Sequence, residues 1–161
     1  MKLNREALLH QLECVQAGLA TREIIEQSSC FVFSAGEVFT YNDEVACRAN
    51  GLLDKSFEGA VQAKPLMDIL QKLPETDIEV EMKDSQFYIR GKNRWIGVNM
   101  EKQVNLPIDS VERPKAWKKL HQDFNEAVAK VQQCAGTDQS QFSLTCVHIH
   151  PKWVEATDNF Q

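Results

Sequence analysis

The chain writes one pattern three times, and the third copy stops halfway. Each copy reads as a strand, a helix and a run of short strands. A recurring unit marks an architecture built by repetition, so the repeat constrains the fold before any single residue does. Two pieces carry it. VQAGLA from Val15 aligns with VQQCAG from Val131, and CFVFSAGEVFTYND ending at Asp43 aligns with TCVHIHPKWVEATD ending at Asp158, at nearly the same separation. The second copy keeps the order of elements with little shared sequence. Function in such a chain is expected from assembled shape more than from one cluster of reactive side chains.

The elements follow from local periodicity. Residues 4–20 predict an amphipathic helix, with Leu8, Leu12, Val15 and Leu19 on one face, Asn4 as N-cap and Glu6 in the first turn. Strands are expected at 30–34, 37–42 and 45–50, the first two joined by a turn at Ala35 and Gly36. In the second copy, 57–63 predicts a strand. Residues 64–73 predict a helix with Pro65 near its first turn, and Pro74 stops it. Ile78, Val80 and Met82 alternate with Asp77, Glu79, Glu81 and Lys83, which is a half-buried strand with one acidic, solvated face. Strands at 87–90 and 94–100 follow tight turns and are therefore antiparallel. Residues 101–114 read as a linker. Beyond it the spacing predicts a helix over 117–134, with Leu120, Phe124, Val128 and Val131 on one face, then strands at 142–150 and 153–157.

Composition excludes several classes. With 161 residues, 43% hydrophobic and 25% charged, the chain has the make-up of a globular protein with a real core. No apolar run approaches the ~18 residues of a membrane span, and the N-terminus lacks signal-peptide features, so a cytoplasmic location is expected. The five cysteines form no CxxC and read as reduced, small core residues rather than a disulfide framework. A formal net charge of -5 is not that of a basic nucleic-acid binder. Only a local clustering of cations would make such binding feasible.

Several segments, in order along nearly the whole chain, resemble the bacterial DNA sliding clamp, the beta subunit of DNA polymerase III. They are Val15, Leu19 and Arg22 in a V-x-x-x-L-x-x-R pattern; FEGAVQAKPLMDILQKLP; GKNRWIGV with the later Leu106-Pro107; and Asp138, Ser140, Leu144 and Val147 in D-x-S-x-x-x-L-x-x-V, followed by Ala156-Thr157-Asp158. The resemblance implies an α+β DNA-clamp (processivity) fold of repeated β-α-β-β-β units, with antiparallel sheets outside and helices on one face. Residues 1–112 would be a first clamp domain and 115–161 the first half of a second. It further implies a non-catalytic subunit, three such domains per full chain, closure as a homodimeric ring, and duplex DNA, the replicative polymerase and the clamp loader as partners. The chain departs from the family pattern at Glu23-Ile24-Ile25-Glu26, where many clamps have Pro-Ile-Leu, and at Gln141 and Gln161, where the family commonly has Arg.

A ring that slides needs loose, sequence-independent phosphate contacts from lysine and arginine on its helices. The candidates are Arg22 after the first helix, Lys64 and Lys72 on the second, and Lys118, Lys119 and Lys130 on the third; the competing reading makes the lysines ordinary solvated helix faces. Cys146, His148 and His150 alternate along one expected strand and suggest zinc, yet steps of about 7 Å along a strand separate ligands too widely for one ion, so no metal or other cofactor is expected. No P-loop, G-x-S-x-G or G-x-G-x-x-G occurs, and no enzyme is expected. The rivals to a clamp are a protein-interaction module that reuses the fold without encircling DNA and, more remotely, a metal enzyme built on the Cys146 strand.

Overall fold

The structure, a computed structural model, describes residues 1–111 and 115–160. The end of the predicted linker at Pro114, the predicted domain boundary at 112 and the departure at Gln161 lie outside the described residues. The chain divides into two compact units, Met1–Glu112 and Arg113–Gln161.

The first unit is one eight-stranded antiparallel sheet with two helices on one face. In chain order it runs β1 (Lys2–Asn4), α1 (Arg5–Val15), β2 (Cys30–Ser34), β3 (Glu37–Tyr41), β4 (Ala46–Asn50), β5 (Gly59–Gln62), α2 (Ala63–Lys72), β6 (Asp77–Lys83), β7 (Gln86–Arg90) and β8 (Trp95–Glu101). This is β-α-β-β-β twice. The spatial order is β1-β6-β7-β8-β5-β2-β3-β4, so the first strand of each half pairs with the second strand of the other. β1, absent from the sequence expectations, supplies the strand that opens the first copy. Its three residues pair with β6 at Lys2↔Glu79, Leu3↔Ile78 and Asn4↔Asp77.

Local chemistry explains the punctuation. The Asn4 side chain accepts the Ala7 N–H at 2.9 Å and caps α1 as expected. The predicted turn at Ala35-Gly36 and the β6–β7 turn at Asp84-Ser85 are two-residue turns with positive φ, which matches the twist of the strands they join. The first helix is shorter than periodicity predicts. α1 ends at Val15 and a 3-10 turn, Gln16–Gly18, follows it. There the chain is pressed onto β3: a Cβ on Gly18 would stand 2.4 Å from Thr40 Oγ1 and 2.8 Å from its carbonyl oxygen.

The core lies between sheet and helices. Leu8, Leu12 and Val15 of α1 and Leu66, Met67 and Leu70 of α2 pack on Phe31, Phe33, Ile78, Val80, Phe87 and Ile89. Phe33 and Phe87 stack with centroids 5.9 Å apart. The acidic residues that alternate with Ile78 and Val80 therefore stand on the sheet face away from the helices, as period two requires. β2 is buried on both faces. Its Cys30 and Val32 form a second, smaller cluster with Phe39, Ala60 and Leu106, so segment 104–108 covers the far side of the sheet there.

The second unit corrects two expectations. The helix predicted over 117–134 is only α3 (Phe124–Val131) with a 3-10 turn, Gln132–Cys134. The strand predicted over 142–150 is a 3-10 segment, Gln139–Thr145, followed by the short strand β9 (His148–Ile149), which pairs with β10 (Val154–Glu155). The cause is local. Asp138 accepts the Ser140 N–H at 2.9 Å and Thr145 Oγ1 donates to the Phe142 carbonyl at 2.8 Å, and such bonds compete with a strand ladder. None of the described residues of this unit is buried, and Trp117, Leu120 and Phe142 stand exposed.

Candidate nucleic-acid interface

In the first unit the helix layer carries two of the candidate cations, Lys64 and Lys72. α2 presents Lys64, Asp68 and Lys72 at steps of four, one exposed stripe with an acid between two bases. α1, packed beside it, presents Glu6, His10 and Glu13. Its one strong cation, Arg5, is turned inward: Nε donates to the Glu75 carbonyl and Nη1 to the Leu70 carbonyl, both at 2.9 Å, and Nη2 meets Glu6 at 3.1 Å. Arg5 thereby occupies an end-of-helix carbonyl of α2, a favourable place for a cation. The exposed layer thus sets two lysines against three carboxylates. Its field is weak, and the local clustering that a net negative chain would need is absent from this layer.

Arg22 stands exposed in the loop after α1, among carboxylates. Glu23 accepts the Ser29 hydroxyl and the Gln27 N–H, and these two bonds, the Ser29 one foremost, hold its carboxyl below the usual range. Glu26 accepts the Asn105 side-chain amide. In the second unit, Lys118 and Lys119 are exposed but lie ahead of α3 in irregular chain, not on a helix as the periodicity predicts. Lys130 lies on α3, ion-paired with Glu126 at 2.7 Å, one turn away. Lys64 and Lys72 therefore share one face of one helix, whereas Arg22 stands on a separate loop.

The Cys146, His148 and His150 set is not gathered. The Cys146 thiol donates to the Phe142 carbonyl, His148 meets Glu155 at 2.7 Å, and the His150 ring stacks on Trp153 at 3.5 Å. No group of three His, Cys, Asp or Glu side chains placed to hold a metal ion occurs among the described residues.

Sequence reasoning misses Gln27. It is fully buried with φ +64°. Its Nε2 donates to Glu101 Oε2 and to the Gln103 carbonyl, both at 2.7 Å, and its Oε1 accepts the N–H of Asn105 at 2.8 Å and of Leu106 at 3.2 Å. This one amide pins the segment after β8 to the Arg22 loop. A glutamine in a polar stretch gives no sequence signal, because its partners lie more than seventy positions away.

No family model and no curated protein sequence matches the chain. Solved structures do. The DNA polymerase III beta subunit of Thermotoga maritima superposes with a TM-score of 0.71 at 16% identity, covering 99% of this chain and 47% of that one. The Helicobacter pylori beta clamp gives 0.70 at 18%, covering 99% and 46%, and the Pseudomonas aeruginosa DNA polymerase sliding clamp 0.70 at 18%, covering 98% and 45%. The fold is that of the bacterial sliding clamps, an α+β arrangement of helices on antiparallel sheet, and the chain spans less than half the length of each of these structures. Among the described residues, no helix is long and apolar enough to cross a membrane.

Proposed function

We infer that the chain is clamp material: a first clamp domain followed by part of a second, contributing to a ring that encircles duplex DNA and tethers the replicative polymerase as a non-catalytic, cytoplasmic processivity factor. The observation that carries this reading is the superposition of almost the whole chain on beta clamps with TM-scores near 0.7. A ring stays on DNA by closure, not affinity, so a helix layer with a weak field is compatible with the role. Tethering then raises the local concentration of a partner without tight DNA contact. Arg22, Lys64, Lys72, Lys118, Lys119 and Lys130 are the residues proposed to meet phosphates, with a homodimeric ring and loading by a clamp loader in the full-length protein.

The balance of two lysines against Glu6, Glu13 and Asp68 on the helix layer favours a second reading, a protein-interaction module that keeps the fold without encircling DNA. Titrating purified protein against duplexes of unrelated sequence over a range of salt separates the two. The clamp reading expects weak, sequence-independent binding that falls with salt and falls further in a Lys64→Glu/Lys72→Glu variant. Binding absent at low salt, or indifferent to that variant, favours the interaction module.

A further inference from the structure

On the sheet face away from the helices and from the candidate cations Lys64 and Lys72, β6, β7 and β8 build a shelf. The cross-strand row Lys2, Glu79, Arg90, Trp95 is in register across four strands. Glu79 is held by Lys2 at 3.4 Å and by Arg90 at 4.0 Å. Trp95 is 69% exposed and packs against Tyr88 with centroids 5.1 Å apart. Gly97, opposite Tyr88, leaves room for the ring: a Cβ there would stand 3.1 Å from the tyrosine and 2.1 Å from Gln86 Oε1, so a side chain would have to displace both. The β7–β8 turn closes with Gly91 N–H donating to the Arg94 carbonyl at 2.9 Å, and Lys92 and Arg94 line the same cleft as the indole. Among the described residues, neither Lys92 nor Arg94 makes an ion pair. A cleft lined by Tyr88, Trp95, Arg90, Lys92 and Arg94, together with Glu79 and Glu81 of β6, opens at this corner.

We propose that this corner docks an acidic peptide segment of a partner protein, with an apolar or aromatic residue seated on Trp95 and carboxylates on Arg94 and Lys92. The proposal goes beyond the clamp reading and does not depend on ring closure. An exposed tryptophan backed by a tyrosine is the kind of anchor that dominates binding energy, and an arginine fork beside it matches a carboxylate. The charge pattern selects peptide over polynucleotide. A single strand of nucleic acid needs cations tracking its backbone over several nucleotides. Here the free cations sit within one turn, while Glu79, held by Lys2 and Arg90, and Glu81 line the same cleft, so a continuous phosphate backbone would meet carboxylates where a short peptide can place its acids on the turn alone.

The test is fluorescence anisotropy with a labelled twelve-residue peptide in which one Phe is flanked by Asp and Glu. It is run against the same peptide with glutamine in place of each acid and against a twelve-nucleotide oligo-dT. The acidic peptide is expected to bind, the glutamine version at least tenfold more weakly. Trp95→Ala and Arg94→Glu, both at exposed positions, are each expected to weaken binding at least fivefold, while Lys55→Glu, the same charge reversal in a distant exposed loop, leaves it unchanged. The proposal is overturned if the acidic peptide does not bind, if binding ignores Trp95→Ala and Arg94→Glu in variants whose thermal melts match the parent, or if oligo-dT binds as tightly with the same dependence on those two residues.

Discussion

Gln27 Oε1 accepts the backbone N–H of Leu106, at 3.2 Å, and through that bond the loop after the first helix fixes the segment that covers the far face of the sheet. The same amide satisfies Glu101, Gln103 and Asn105. Gln27→Met keeps the bulk but leaves the buried Leu106 N–H and three part-buried partners without this amide, and an unmet buried group costs about 1–3 kcal/mol. The variant is expected to lose about 3 kcal/mol in urea unfolding, with amide exchange rising first at Asn105 and Leu106.

Gly18 is the other end of that loop's anchorage. Gly18→Ala forces a methyl against Thr40, and overpacking of this kind costs about 1–3 kcal/mol. A thermal melt shifted down by several degrees is the expected result. Phe87→Ala, which removes the ring stacked on Phe33 and tilted against Phe57, is expected to cost more, about 3–5 kcal/mol.

The thiols sort by burial, against the expectation that all are core residues: Cys30 is buried, Cys47 and Cys134 are half-buried, and Cys14 and Cys146 face solvent. Desolvation pushes the Cys30 thiol up to about 11 from an ordinary 9.0, while Cys14 and Cys146 are exposed. A raised folded value means that the thiol's contribution to stability is complete below the unfolded value and is lost as pH rises from about 9 through 11. At pH 8 a disulfide-exchange reagent is expected to modify Cys14 and Cys146 rapidly and Cys30 only on unfolding. Stability is expected to decline across that alkaline window, and less so in Cys30→Ala, compared with its own value at pH 8.

The helix layer gives a charge prediction. Glu13→Lys turns two lysines against three carboxylates into three against two. If this layer meets phosphates, duplex affinity at low salt is expected to rise several-fold, with the slope of log affinity against log salt steeper by about 0.9. The same titration on Lys55→Glu is expected to show no change.

How much of this was legible in the chain depends on how local each cause is. α2 and the β6–β7–β8 meander follow from residues a few places apart: Leu66 and Leu70 on one helical face, Ile78 and Val80 on one strand face, and turn residues at Asp84-Ser85. β1 was illegible because its pairing partner, Glu79, lies far along the chain. The over-long helix at 117–134 has a physical reason. Leu120 continues the apolar period but is 59% exposed with nothing to bury against, and periodicity without burial does not hold a helical turn. The six candidate cations are all exposed, but sequence spacing could not tell that Lys130 is paired with Glu126 or that Lys118 and Lys119 precede their helix. The Tyr88–Trp95 shelf needed the β7–β8 register, since the two rings are neighbours only across the hairpin.

The most direct test of the clamp account is retention on nicked circular duplex DNA, followed through a gel-filtration column before and after the circle is cut once. The account predicts that the loaded full-length protein stays with the circle at moderate salt and is lost when the DNA is made linear. Equal retention on both forms, or none on either, would contradict it.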